Sequence, residues 1–402
     1  MHIFINGNEA NVDRPVGSNV FALEILNSIY RLDKKNNYTV LLKEEPKKLM
    51  PPVSENWKYK VIGPAKLWTQ WALPRYLALL ALTPGDSLSP SSRLRRISRS
   101  TPGFSAKELK IKNILFSPGH YGAAWGNIPQ VVCVMDLAFE KFPNEFKARD
   151  LWQLKIWTRR SVSLAKKVIA ISESTKKDLV ELYGLPRNKV EVVYPGKPGN
   201  FQFSMINFQS IFNDQFIKRI KNKKFILFIG TLQPRKNIGN LIRAFAILVK
   251  KYPDYKLVIA GKKGWLYDEM FSLVRELNLG DKVIFTGFVS SEEKDILLKK
   301  AEFLLFPSFY EGFGFPVLEA FAADCPVLAA RNSSLPEVGG KAAVYFENIE
   351  NPEEMAKDME KMLKLSESKR RGLIAEGKKQ VEKFNWNSAG KKIIRIIENC
   401  NQ

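Results

Sequence analysis

The back half of this chain alternates short apolar runs with stretches whose apolar residues recur at helical spacing, a rhythm that few folds can accommodate. Phe225-Ile226-Leu227-Phe228-Ile229-Gly230 is a compact apolar run ended by Gly, and residues 237–250 then repeat apolar side chains three and four apart. The unit recurs as a strand over 256–260 turning at Gly261, a helix around 268–277, a strand over 282–286 and a helix around 292–300. A strand over 303–306, a helix around 316–323 and strands over 326–330 and 342–346 follow. Such alternation predicts a parallel sheet with helices on both faces, and in such sheets ligands bind at the carboxyl ends of the strands. The loops after Gly230, Gly261, Gly287 and Pro307 are therefore where chemistry is expected.

The front half repeats the theme less regularly. Strands are predicted over 3–6, 38–42, 113–116, 130–134, 167–171 and 190–194, with helices around 19–30, 150–164 and 174–183. The 402 residues suit two domains. We divide them into 1–200, containing a Ser-, Arg-, Pro- and Gly-rich insertion over 83–106, and 201–385, with a hinge at Pro195-Gly196-Lys197-Pro198-Gly199. Residues 386–402 read as a terminal helix whose packing side the pattern does not specify. The fold class is α/β, with two Rossmann-like parallel-sheet domains.

Charge and composition exclude several classes. Cys133, Cys325 and Cys400 are odd in number and far apart, and with two histidines they support neither a disulfide framework nor a zinc site. The apolar stretch from Trp71 to Leu82 is short and contains Pro74 and Arg75, so no spanning helix is expected. The first residues read as a strand rather than a leader, and a cytoplasmic location is expected. The net charge of +22 is uneven: residues 47–112 hold 13 basic against 3 acidic side chains. This stretch suits an anionic membrane surface, with Trp68, Trp71 and residues 77–82 as a candidate interfacial addition, or a solvated basic face and a buried core helix. A nucleic-acid-binding protein would also explain the charge, but no recognition motif supports it, and no nucleic acid is expected.

The phosphate signals are selective. Neither the dinucleotide pattern GxGxxG nor a P-loop is present, and no Asp-x-Asp pair offers a divalent-ion site. Cations stand where they could replace a metal: Arg235 and Lys236, in Gly230-Thr231-Leu232-Gln233-Pro234-Arg235-Lys236-Asn237, fall between a strand end and a helix start, where backbone N–H groups favour an anion. A solvated basic loop is the plain alternative. Gly17-Ser18-Asn19 is a weaker site of the same kind, where a Ser or Asn N-cap suffices. The sharpest constellation is Glu311-Gly312-Phe313-Gly314-Phe315-Pro316-Val317-Leu318-Glu319. Its glycines let backbone approach a ligand, Pro316 suits a first helical turn, and the carboxylates can accept paired hydrogen bonds from sugar hydroxyls. Helix-dipole preference would explain each glutamate alone but not the Gly-Phe-Gly between them.

Glu311 to Glu319 resembles the E-x7-E signature of the retaining nucleotide-sugar glycosyltransferases of family 4 (group 1), mannosyltransferase-like members, which have the GT-B architecture of two Rossmann-like domains across a cleft. Gly230 to Asn237 is similar to that family's diphosphate loop, Phe285-Thr286-Gly287-Phe288-Val289 to its nucleoside-side strand end, and Asn332 to Gly339 to its next loop. The segments 131–143 and 169–179, and Val193-Tyr194-Pro195-Gly196, resemble those leading to the hinge.

The resemblance implies that Arg235 and Lys236 hold the donor diphosphate, Glu319 the ribose, and Glu311 the transferred sugar beside Gly312, Phe313 and Gly314. Gly17 would face the phosphates, with Thr231, Phe288 and Asp136 completing the site. Two departures stand out. Thr231 follows Gly230 where many members have Arg, so Arg235 is the candidate substitute, and Met135-Asp136 stands where the family often has His-Asp, with His120 a minor candidate replacement. The implied reaction is metal-independent, cofactor-free transfer of a hexose to a glycan or lipid-linked hydroxyl with retention, in cell-surface polysaccharide or glycolipid synthesis. Similarity around Gly230–Asn237 and Gly261-Lys262-Lys263-Gly264-Trp265 points first to GDP-mannose. A GT-B-type epimerase or phosphorylase is the alternative.

Overall fold

The computed structural model describes residues 1–13, 15, 17–80, 113–197, 223–262, 264 and 268–400. The insertion over 83–106, part of the hinge and part of the turn over 261–265 lie outside the described residues. Seven strands form the first sheet: β1 (His2–Asn6), β2 (Asn37–Leu42), β3 (Trp57–Val61), β4 (Asn113–Ser117), β5 (Gln130–Val134), β6 (Lys167–Ala170) and β7 (Val190–Val192). Six form the second: β8 (Lys224–Ile229), β9 (Tyr255–Ala260), β10 (Val283–Gly287), β11 (Leu304–Phe306), β12 (Val327–Ala329) and β13 (Ala343–Tyr345). The orders are β3-β2-β1-β4-β5-β6-β7 and β10-β9-β8-β11-β12-β13. Every pairing in both is parallel.

Parallel strands need crossovers, and the helical segments supply them. Cover on both faces explains why Ile226, Leu227 and Phe228 of β8 and Val131 to Val134 of β5 are apolar on consecutive residues and buried. Local signals set the helix starts. Ser290 and Glu293 form a reciprocal capping box ahead of Ser291–Lys300, and the Asn385 side chain accepts from Asn387 and Ser388 to begin Trp386–Asn399.

Three features depart from or complete the reading of the sequence. Strand β3 was not foreseen: Trp57-Lys58-Tyr59-Lys60-Val61 buries Trp57 while both lysines face solvent, the alternation of an edge strand that a basic stretch conceals. The terminal helix Trp386–Asn399 packs back on the first domain's Ser18–Leu32 helix, where Ser28 Oγ donates to the Trp386 carbonyl at 2.9 Å. Of the candidate interfacial stretch, residues 81 and 82 lie outside the described residues, and 68–80 divides rather than forming one interfacial face. Trp68 is buried with Nε1 donating to the Ile62 carbonyl at 3.0 Å, and Leu77 is buried, whereas Trp71, Leu79 and Leu80 are exposed.

One buried cluster crosses from sheet to sheet. Tyr194 of the first domain meets Phe313 and Phe384, Phe313 meets Phe315, and Trp386 packs on Phe21, so the domains share apolar cover beside the hinge.

Candidate active site

In each sheet the strand order reverses direction at one point, between β1 and β4 in the first and between β8 and β11 in the second, and a crevice opens at such a point beyond the carboxyl ends of the strands. Arg235 and Lys236 lie after β8 on the one-turn segment Pro234–Lys236. Asn237, in the left-handed region at φ 59°, then starts the helix Ile238–Lys251. Glu311 lies after β11. The adjacency of these two strands therefore brings the loops together, and the Phe309 N–H donates to the Arg235 carbonyl at 2.8 Å.

Lys236 and Glu311, expected to hold different parts of a donor, are each other's partners. Lys236 Nζ donates to Glu311 Oε1 at 2.5 Å, both residues are buried, and the ammonium lies 5.7 Å from the Phe306 ring centroid. Burial lowers the Lys236 pKa, the Arg235 charge adds to that, and the Glu311 carboxylate opposes both. Arg235 is answered from the other domain. Its Nε stands 3.6 Å from Glu145 Oε2, too long for a hydrogen bond, and its Nη1 donates weakly to the Tyr310 carbonyl at 3.4 Å. Burial raises the Glu145 pKa against the pull of Arg235.

The glycines around Glu311 are required by geometry. A Cβ on Gly312 would stand 2.3 Å from the Met135 carbonyl oxygen and 2.8 Å from the Asp136 Cβ, so only glycine lets this loop lie against the end of β5. Gly314 has φ +106°, and a Cβ there would meet Leu335 Cδ2 at 2.8 Å. The loop is fastened from behind. Ser333 Oγ accepts from the Glu311 N–H at 3.0 Å, and Ser334 Oγ lies 3.0 Å from the Glu311 carbonyl and 2.8 Å from that of Phe313.

The other candidates fall into three places. Asp136 joins the Glu311 group through its contact with Gly312, and its Oδ1 accepts from the Ala138 N–H at 2.9 Å. Glu319, inside the helix Phe315–Ala322, pairs with Lys294 on the helix that follows β10, and Phe288 at the end of β10 is 54% exposed, so both stand toward that sheet edge. Thr231 comes two residues after the end of β8 and lies beside Gly264. Gly17 belongs to a separate group after β1, with φ +54°, where Glu9 accepts from Ser18 and Asn19. His120 sits beneath the chain at Met135: its Nε2 accepts from the Met135 N–H at 3.2 Å, and its Nδ1 is buried without a partner. It props the backbone where the family's imidazole would project a side chain. No three His, Cys, Asp or Glu side chains gather into a metal-binding group among the described residues.

Several residues that complete the site were assigned no role from the sequence, although most lie in the family-like segments 131–143, 169–179 and 332–339. Tyr310, next to Glu311, is buried and reaches into the first domain: its OH donates to Asp178 Oδ2 at 2.7 Å and accepts from the Leu137 N–H at 3.1 Å. Lys141 pairs with the other Asp178 oxygen at 2.5 Å and lies 5.0 Å from the Tyr310 ring centroid. Burial, then the charges of Asp136 and Asp178, push the Tyr310 pKa far above its usual value, so the phenol stays a donor. Below it, the Glu337 carboxylate accepts from the Glu173 and Ser174 N–H groups at 2.9 Å each and from Tyr194 OH at 3.0 Å. Thr175 Oγ1 lies 3.2 Å from the Met135 carbonyl and 3.4 Å from that of Gly312. For Tyr310 the hint was position, since it immediately precedes the E-x7-E segment.

Two parallel α/β sheets whose switch-point loops meet across an interface have the GT-B architecture, and comparisons with known proteins agree. Residues 210–380 match the family model described as Glycosyl transferases group 1, and residues 69–197 match that of Glycosyltransferase Family 4. The two matches together span most of the chain, which resembles the group 1, family 4 glycosyltransferases and their mannosyltransferase-like members. An uncharacterized glycosyltransferase of Methanocaldococcus jannaschii is 31% identical over 245 residues, 58% of this chain and 59% of that protein. The O-antigen chain mannosyltransferase B of Escherichia coli is 27% identical over 237 residues, 57% of this chain and 59% of its own. The matches thus span about three fifths of these relatives. In structure, sucrose-phosphate synthase from Thermosynechococcus elongatus superposes with TM-score 0.67 at 16% identity, covering 99% of this chain and 98% of that one. Anabaena HepE, in complex with UDP-glucose, superposes with TM-score 0.66 at 15% identity, covering 99% and 100%.

Proposed function

We propose that this protein transfers a hexose, mannose in the first instance, from a nucleoside diphosphate sugar to a hydroxyl of a glycan or lipid-linked acceptor, with retention at the anomeric carbon. The observation that carries the reading is the buried Lys236–Glu311 pair at the β8–β11 switch point, with Arg235 beside it. A buried ion pair gives little net stability, so its value lies in what each partner does on exchange. A diphosphate entering the crevice would take the Lys236 ammonium and the Arg235 guanidinium, and Glu311 would turn to two sugar hydroxyls.

The reaction breaks the bond from the anomeric carbon to the phosphate oxygen, with the electron pair leaving on the diphosphate. The acceptor oxygen bonds to the same face of that carbon, and its proton passes to the departing phosphate oxygen. Arg235 and Lys236 stabilise the charge that develops there, which is the task a divalent ion performs in other transferases, so we propose a metal-independent, cofactor-free reaction. No protein base is needed, and Met135 in place of an imidazole is compatible with this route. Closure of the two domains, held by Tyr310 and Glu337, would exclude the water that would hydrolyse the donor.

The mannose assignment is supported by the Escherichia coli relative, named as an O-antigen chain mannosyltransferase. We take GDP-mannose as the first donor to test and UDP-glucose, the ligand in the HepE structure, as the second. No described helix is long and apolar enough to cross a membrane. We place the protein on the cytoplasmic face as a peripheral partner of anionic lipid, a reading supported by the basic stretch 47–112 and the exposed Trp71, Leu79 and Leu80.

Calorimetry against GDP, UDP, ADP and their sugars, with and without magnesium, tests the donor site on wild type and Lys236→Ala. Binding of one nucleotide in chelator, lost in a variant that keeps its fold, is the expected result. The absence of any binding at millimolar concentration overturns it. Turnover of the bound sugar without an acceptor would instead favour an epimerase or phosphorylase.

A further inference from the structure

A second cavity opens beside the crevice, on the side away from Glu319 and Lys294. It measures about 470 Å³, within the range of about 300–1,000 Å³ typical of small-molecule sites. The second domain supplies most of its lining from the ends of β11, β12 and β13: Phe309, Arg331, Asn332, Asn348 and Glu350 among others. Phe142 comes from the first domain. It is thus a site that the two domains complete together.

The walls are physically continuous with the donor loop. Phe309 bonds through its backbone to Arg235, and Asn237, the residue after Lys236, donates its side-chain amide to the Ile349 carbonyl at 2.6 Å. Asn332 lies next to Ser333, which holds the Glu311 N–H. A ligand here would lie against the same loops that carry the proposed chemistry, on the β12–β13 side, while Glu319 and Phe288 stand on the β10 side. It would not compete with the nucleotide.

The lining selects the ligand class. Three phenylalanines, Phe142, Phe309 and Phe346, offer apolar surface for C–H groups, and two amides and two carboxylates offer donors and acceptors, the pairing that suits a sugar ring with an apolar face and equatorial hydroxyls. An anion fits poorly, because Glu347 and Glu350 outnumber Arg331, whose guanidinium lies 4.9 Å from the Tyr345 ring centroid. The charge is opposite in sense to the Arg235–Lys236 loop a few residues away.

We infer that this cavity is a carbohydrate subsite that holds a sugar unit of the acceptor glycan remote from the reacting hydroxyl, so that the enzyme favours a growing chain over a single sugar. The inference rests on the glycosyltransferase reading of the neighbouring crevice and adds the acceptor class: a neutral oligosaccharide of at least two units.

The test uses full-length protein and ladders of one to four sugar units of α-linked mannose, α-linked glucose and β-linked N-acetylglucosamine, followed by saturation transfer and calorimetry without donor. In at least one ladder, affinity should rise about tenfold with chain length, and both Phe142→Leu, which keeps apolar bulk without the aromatic face, and Glu350→Gln should abolish that rise. Nucleotide affinity measured on the same samples should match wild type, which separates failure of this subsite from failure of the donor site. Length-independent affinity in every ladder, binding to none of them at millimolar concentration, or a rise that both variants retain would each overturn the assignment.

Discussion

At the β8–β11 switch point a buried ammonium and carboxylate pair with a guanidinium alongside, whereas at the β1–β4 switch point the chain places amides, a hydroxyl and an imidazole around one carboxylate, Glu9. There Asn6 donates to the Tyr121 carbonyl at 3.0 Å, Gly17 opens a helix, and His120 accepts from the Met135 N–H. The same topology thus yields two crevices with different chemistry. The charged one can exchange an internal partner for a phosphate at small net cost, because both charges are already stripped of water. The other, with amides and one carboxylate, suits hydroxyls. On the proposed reaction, the contrast would give the donor's anion to the second domain and the acceptor's reacting hydroxyl to the first.

The strongest way to break that contrast is to remove the ammonium. Lys236→Ala should weaken nucleotide binding by about 100-fold, the scale of one charge-assisted contact to phosphate, while Asn6→Ala at the other crevice leaves it within about twofold. Calorimetry decides, and equal losses from the two variants would end the division of labour. Next in size is Gly312→Ala. The added Cβ meets the Met135 carbonyl at 2.3 Å, so the Glu311 loop must retreat from Asp136. Turnover should fall by about 100-fold with nucleotide affinity nearly intact, since displacement by an ångström is enough to spoil a reacting geometry. Single-turnover kinetics on a variant with an unchanged melting temperature would show it.

The two crevices also differed in how far the chain announced them. Arg235 and Lys236 share one short loop, and Glu311 to Glu319 share one loop and helix, so local signals of strand end, glycine and helix start located them, and the alternating rhythm placed both loops on one sheet. What neighbouring residues could not report was contact at a distance. Tyr310 meets Asp178 across 132 positions, Ser174 meets Glu337 across 163, and the terminal helix closes on Ser28 across 358. Each is an ordinary polar residue whose partner is set by how two domains dock, and a single chain carries no periodic trace of that. The Lys236–Glu311 pairing fell between these cases. Both residues were singled out, but as contacts to a ligand, because motif reading assigns roles toward an absent substrate and not toward each other.

Smaller effects sharpen the contrast. Tyr310→Phe leaves Asp178 and the Leu137 N–H without their shared hydroxyl, at a cost of about 1–3 kcal/mol. Turnover should fall about tenfold with little change in nucleotide affinity, as befits a residue that aligns the crevices and touches neither substrate. A readout confined to melting temperature would reduce Tyr310 to a structural role. Nucleotide affinity should also fall on the alkaline side earlier than an ordinary lysine at about 10.4 would dictate, because burial lowers the Lys236 pKa. Stability moves the other way: between the lowered value and the ordinary one the unfolded chain binds more protons, so this group's contribution rises with pH while affinity falls. Lys236→Arg, which keeps its charge, should flatten the alkaline limb of a binding titration.

The smallest effect belongs to the first domain's crevice. Burial lowers the His120 pKa, outweighing the pull of Asp136 and Glu9, and the ring must stay neutral at Nε2 to accept from Met135. On acidification below about 6.5 the unfolded chain takes up a proton that the folded chain resists, so this residue removes stability as pH falls. His120→Asn keeps an acceptor for the Met135 N–H and has no such proton to bind. Melting curves of the two proteins should therefore coincide at pH 8 and separate by about 1–2 °C at pH 5, with the variant the more stable. Curves that separate at pH 8 as well would mean that the ring's packing against Phe139, 6.1 Å between centroids, matters more than its proton.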